Sequence, residues 1–139
     1  MMGNYPEHMV APLREELVQA GFSSLMTPEE VDGALGRAGT TLLVLNSVCG
    51  CAAGTLRPGV LEAVKGRGLK FDHLVTVFAG METEAVRRVR EHFGTLAPSS
   101  PNAAIFQDGK LVYHMARSIF EGHSPAQIAD QLEQARGGK

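Results

Sequence analysis

The chain has 139 residues, 44% hydrophobic, 20% charged and only 6% aromatic, with 13 Lys and Arg against 15 Asp and Glu for a formal net charge of −2. That length suits one domain able to bury roughly two-thirds of the surface its unfolded chain exposes, and the apolar content excludes a disordered chain. The near-neutral charge argues against nucleic acid or anionic lipid as a partner. The longest nearly apolar run, 42–48, is broken by Asn46 and Ser47, so no segment is expected to span a bilayer. Residues 1–16 lack the apolar core of a signal peptide. The expectation is a cytoplasmic protein.

The first predicted element is a helix from Pro6 to Gly21, with Met9, Leu13, Leu17 and Ala20 at helical spacing and Pro12 as a point of interruption. A short second helix starts at Thr27-Pro28-Glu29-Glu30, where Thr27 can cap, Pro28 suits the first turn and Glu30 can close a capping box. Thr40 to Asn46 is a continuous apolar run rich in β-formers and predicts a buried, parallel strand. A turn over Ser47 to Gly50 leads into a helix over 52–65 carrying Leu56, Val60, Leu61 and Val64. Pro58 should kink it, because its ring presses on the carbonyl of Gly54. Leu74 to Ala79 reads as a second strand. Glu82 to Phe93 reads as a helix with Ala85, Val86, Val89 and Phe93 inward, and with Arg87, Arg88 and Arg90 on a solvated face.

Asn102 to Gln107 and Lys110 to Met115 flank Asp108-Gly109, a strong hairpin signal. A last helix begins at Ser124-Pro125-Ala126-Gln127 and buries Ile128 and Leu132. The order is two helices followed by β-α-β-α-β-β-α. It predicts an α/β fold: a central mixed sheet flanked by helices, with residues 1–38 as an N-terminal helical extension to a core over 39–139 in a single domain.

The chemistry points to the two cysteines, which stand as Cys49-Gly50-Cys51 between the first strand and the next helix. Ligands of open α/β sheets gather at the carboxyl ends of strands. A helix start offers free backbone N–H groups and the positive end of the dipole, both of which favour thiolate. Cys49 is the better placed nucleophile, Cys51 lies within the first helical turn, and Gly50 removes a side chain from the approach. A disulfide across one intervening residue is strained and easily reduced, so the pair suits exchange rather than stapling. Three other readings stay open: small buried hydrophobes, an interaction module with vestigial thiols, and half of a shared zinc or iron–sulfur site. The five histidines show no ligand-like pair spacing, so no complete metal site is expected in one chain.

This order of elements, with cysteines at a helix start, resembles the thioredoxin fold. The run Asn46-Ser47-Val48-Cys49-Gly50-Cys51-Ala52-Ala53-Gly54, then Arg57-Pro58, together with the opening Tyr5-Pro6-Glu7-His8-Met9-Val10-Ala11-Pro12-Leu13-Arg14-Glu15-Glu16-Leu17, is similar to the bacilliredoxins over essentially the whole chain. The resemblance implies a thiol–disulfide oxidoreductase that removes bacillithiol from S-bacillithiolated client proteins. Cys49 would be the nucleophile and Cys51 the resolving or modulating thiol. Gly50, Ser100 and Pro101 would border the substrate, with Pro101 as the proline that thioredoxin-like proteins set against the nucleophile. Bacillithiol would be a co-substrate, with no resident cofactor. General protein disulfide reduction or isomerisation is the first alternative, and metal or iron–sulfur carriage the second.

Overall fold

The computed structural model describes residues 6–48, 52–94 and 101–137. Helix α1 (Glu7–Val18) comes first, then a two-residue strand β1 (Ser23–Ser24), α2 (Pro28–Leu35) and the long strand β2 (Thr40–Asn46). After residues 49–51 a helical run continues from Ala52 to Gly66, and α3 (Arg57–Leu61) is its α-helical centre. Then follow β3 (His73–Phe78), α4 (Thr83–His92), the hairpin β4 (Asn102–Gln107) and β5 (Lys110–Met115), a short α5 (Arg117–Phe120) and α6 (Pro125–Gly137).

The strands form one sheet in the order β1-β3-β2-β4-β5. β1 and β2 run parallel to β3, while β4 runs antiparallel to both β2 and β5. Every residue of β2 is buried, as expected of a central strand covered on both faces. Leu42 and Val44 point toward Leu17 of α1, Val60 of α3 and Ile128 and Leu132 of α6. Leu43 and Leu45 point the other way, toward Val31 and Leu35 of α2 and Val86 and Val89 of α4. The alternation of strand side chains thus divides one strand between two hydrophobic layers. Thr76 is a buried polar residue of β3, and its hydroxyl donates to the Val44 carbonyl at 2.7 Å.

Two turns match their sequence signals. Asp108 and Gly109 both adopt positive φ, 52° and 84°, the backbone that an Asp-Gly hairpin turn requires. Ser124 and Gln127 cap α6 reciprocally: the Gln127 N–H donates to the Ser124 hydroxyl, and the Ser124 N–H to the Gln127 side chain. At α2 the box is displaced by one residue. Thr27 accepts from the Glu30 N–H, but the Glu30 carboxylate takes the N–H of Met26 rather than that of Thr27.

Three features depart from the sequence expectation. The N-terminal 38 residues are not helical only, because Ser23–Ser24 pairs with Val75 and Thr76 and extends the sheet. Two serines carry no alternating pattern, so this strand exists through its partner. α5 was likewise not expected. Third, α1 runs unbroken through Pro12: it forgoes the bond that residue's missing N–H would make to the His8 carbonyl, while Val10 and Leu17, both fully buried, hold it to the sheet.

Pro58 produces a more specific effect than a kink. The turns on either side of α3, Ala52–Leu56 and Glu62–Gly66, have the wider i→i+5 hydrogen bonding of a π-type helix. Proline excludes the carbonyl four residues back, and a widened turn is one way a helix accommodates that exclusion. α3 also lies very close to α6: a Cβ built on Gly59 would come within 2.6 Å of Ile128 Cβ.

Candidate functional site at the carboxyl end of β2

β2 ends at Asn46, and Ser47 and Val48 lead toward residues 49–51. The Ala79 N–H donates to the Asn46 carbonyl at 2.9 Å, so the parallel neighbours β2 and β3 finish side by side. This is the end of the sheet where ligands of α/β folds collect. α1 crosses the same end and supplies contacts to both strands.

Asn46 is 1% exposed and fully engaged. Its amide donates to the Leu13 carbonyl of α1 at 3.2 Å. Its side-chain oxygen accepts from the Ser47 N–H at 2.9 Å and from Arg57 Nη1 at 2.8 Å. The same Nη1 donates to the Ser47 carbonyl at 2.8 Å, and Arg57 Nε donates to Glu16 of α1 at 3.1 Å. Arg57 is itself only 3% exposed. A charge so far from water persists only with acceptors around it, and here they come from α1 and from the end of β2.

A second ion pair, its carboxylate buried and its arginine partly so, lies at the end of β3. Glu82 accepts from the Phe78 N–H at 2.8 Å and from Arg14 Nη2 at 2.6 Å. The Arg14 guanidinium stands 5.8 Å from the Phe78 ring centroid. Burial pulls the Arg14 pKa down, yet hydrogen bonds to Glu7 and Glu82 outweigh it and the net displacement is upward. These groups border an open cleft of about 280 Å³, which Met26 and Met81 also line.

Pro101 is buried immediately before β4. Leu45 of β2 pairs with Asn102, and one further step in that register sets Pro101 opposite Asn46. The proline singled out in the sequence therefore stands beside the end of the strand that leads to the cysteines. Cys49, Gly50, Cys51 and Ser100 lie outside the described residues. Away from this end, His114 of β5 lies level with Ala104 of β4 and Leu43 of β2, with its ring edge-on to Phe93 at 4.8 Å between centroids. Its Nε2 is buried without a hydrogen-bond partner, and burial holds its imidazole below its ordinary pKa of 6.5.

Sequence reading singled out Pro101 by resemblance and placed Asn46 at the end of its strand. It did not identify Glu16, Arg14 or Glu82, and it treated Arg57 only as part of a motif. Nothing in helical periodicity marks an arginine as buried. The available signal was that Arg57 precedes Pro58 on the helix that leaves the cysteines. Among the described residues, no group of three or more His, Cys, Asp or Glu is placed to hold a metal ion, and no helix is long and apolar enough to cross a membrane.

A mixed sheet with helices on both faces and a proline beside the central strand's end defines a thioredoxin-like fold. The oxidised mitochondrial thioredoxin 3 of Saccharomyces cerevisiae superposes with a TM-score of 0.57 at 13% identity, over 85% of this chain and 95% of that one. The sequence is more specific. Residues 5–137 match the model of the disulphide isomerase family. The bacilliredoxin of Cytophaga hutchinsonii is 49% identical over 129 residues, covering 93% of this chain and 95% of its own. That of Geobacillus kaustophilus is 49% identical over 125 residues, covering 90% and 86%. The chain belongs to this family, the bacilliredoxins, and is a thiol–disulfide oxidoreductase of thioredoxin-like fold.

Proposed function

We propose that the protein removes bacillithiol from S-bacillithiolated client proteins through Cys49. The observation that carries this reading is the Cys49-Gly50-Cys51 sequence directly after β2, in a chain 49% identical to a curated bacilliredoxin over nearly its whole length.

The Cys49 thiolate attacks the bacillithiol sulfur of the client's mixed disulfide. A new S–S bond forms between Cys49 and bacillithiol, the old one breaks, and the client sulfur leaves as thiolate and takes a proton from water. A second bacillithiol thiolate then attacks the Cys49 adduct, releasing bacillithiol disulfide and restoring Cys49. Alternatively Cys51 attacks it, giving a Cys49–Cys51 disulfide and free bacillithiol. The helical run beginning at Ala52 supports thiolate at its amino end. Gly50 carries no side chain to obstruct an approaching sulfur, and Ser100 and Pro101 are assigned to contact with the client. No resident cofactor takes part, and the reaction belongs in the cytoplasm, where thiols are kept reduced.

Intact mass tests this after mixing reduced protein with a bacillithiolated client. The Cys51→Ala variant should gain one bacillithiol and the Cys49→Ala variant none. A client that stays capped with every form would overturn the bacillithiol reading. The family model's description as a disulphide isomerase favours general disulfide exchange as the second reading. Exchange with ordinary protein disulfides, but not with bacillithiolated ones, would then establish it.

A further inference from the structure

We propose that Arg57 is a positioning residue for the reactive thiol: its Nη1 ties together the two ends of the segment that carries Cys49 and Cys51. This rests on the reading of Cys49 as the nucleophile and adds the group that orients it. Arg57 lies on the helical side of that segment, eleven positions after Asn46. Its Nη1 returns across the segment to the strand side and donates there twice, to the Asn46 side-chain oxygen and the Ser47 carbonyl, at 2.8 Å each. Asn46 in turn accepts the Ser47 N–H at 2.9 Å. Both backbone polar groups of Ser47 are thereby held, which fixes the peptide planes on each side of it and the direction in which the chain leaves for Val48 and Cys49.

Glu16 completes the clamp. It accepts from Nε at 3.1 Å and anchors the guanidinium to α1. The planar fork of arginine can serve Glu16 with Nε while Nη1 serves the strand. Lysine places one charge near the same point but offers neither the reach nor the fixed angle between donors. Thiol–disulfide exchange needs the attacking sulfur in line with the S–S bond it breaks, so a small displacement of the thiol costs rate even when its acidity is unchanged.

The test uses the full chain in a Cys51→Ser parent, so that only Cys49 reacts. Two rates are followed: exchange with cystine, and alkylation by iodoacetamide across pH. Neither depends on bacillithiol. Arg57→Lys should slow cystine exchange about tenfold or more while leaving the alkylation profile at the parent's pH, because the charge remains. Arg57→Gln should slow exchange at least as much and move the alkylation profile to higher pH. Should these variants fail to fold, Glu16→Ala serves instead, since Glu16 is half-exposed and alanine removes the acceptor, and it should slow exchange with no change in profile. An Arg57→Lys protein that exchanges at the parent's rate overturns the proposal, as does Glu16→Ala at that rate where Arg57→Lys is unfolded. A parent whose Cys49 does not exchange with cystine overturns the thiol reading itself, a failure visible before any Arg57 variant is made.

Discussion

Arg57 and Arg88 each join elements of this molecule, and they do so in opposite settings. The Arg57 side chain reaches the end of β2, is 3% exposed, and donates to Glu16 of α1 and to Asn46 and Ser47 at the strand end. Arg88 sits on α4 and reaches Asp32 of α2 at 2.6 Å, with side chains 41% and 46% exposed, and His92 adds a second contact to the same carboxylate. Both seams read as salt bridges on a contact map. The difference is water: solvent and salt screen the Arg88 seam, whereas the Arg57 network would leave unpaired backbone and side-chain groups in the interior if its cation were removed. The buried one stands where β2 leads toward residues 49–51, and the exposed one holds two helices on the far layer.

The largest effect that would sharpen this contrast is at Arg57. Arg57→Gln should lower unfolding free energy by roughly 2–4 kcal/mol, because two buried acceptors, the Asn46 side-chain oxygen and the Ser47 carbonyl, lose their charged donor, as read by urea denaturation. A loss no larger than that of a surface substitution would erase the distinction. Next comes the packing that holds the same helix. Gly59→Ala puts a methyl 2.6 Å from Ile128 Cβ, so α3 and α6 must separate. An expected loss of about 1–3 kcal/mol by the same denaturation would show that the helix behind Arg57 is held by close backbone approach.

A smaller effect concerns His114. Burial keeps its imidazole below 6.5, so the unfolded chain binds the proton more readily. Stability is then full above the unfolded value and declines as pH falls through 6.5 toward the lower folded value. Replacing it by His114→Gln should flatten that decline in urea midpoints measured across this range. An unchanged slope would assign the pH dependence to other groups.

The smallest change is expected at the exposed seam. A hydrogen bond from Arg88, then one from His92, holds the Asp32 carboxyl below its ordinary 3.8. Its contribution is therefore present above 3.8 and is lost as pH falls through the lower folded value. Arg88→Ala should leave the thermal midpoint at neutral pH nearly unchanged at physiological salt. A midpoint drop matching that of Arg57→Gln would break the comparison outright.

The sequence by itself determined most of the frame. The apolar run 42–45 behind two β-forming threonines read as a strand covered on both sides, and Asp108-Gly109 between two β-rich runs specified its own turn through backbone angles. The caps at Thr27 and Ser124 were legible because they depend on neighbours within one helical turn. The strand end that precedes Cys49-Gly50-Cys51 and the strand start that follows Pro101 were legible, since both are local features.

What only the tertiary structure decided is how distant residues meet. Ser23–Ser24 is a strand because β3 offers it a free edge, a partner about fifty residues away. Pro58 is absorbed by widened turns rather than by a simple bend, while α6 lies close enough to α3 to require Gly59. Arg57 carried the same helical spacing as any solvated arginine. Its burial comes from α1 folding across the end of β2 and bringing Leu13 to Asn46 and Glu16 to Arg57, contacts that separate in sequence by thirty residues or more. Local patterns report backbone preference and the direction of the apolar face, whereas burial of a charge depends on what the rest of the chain lays over it.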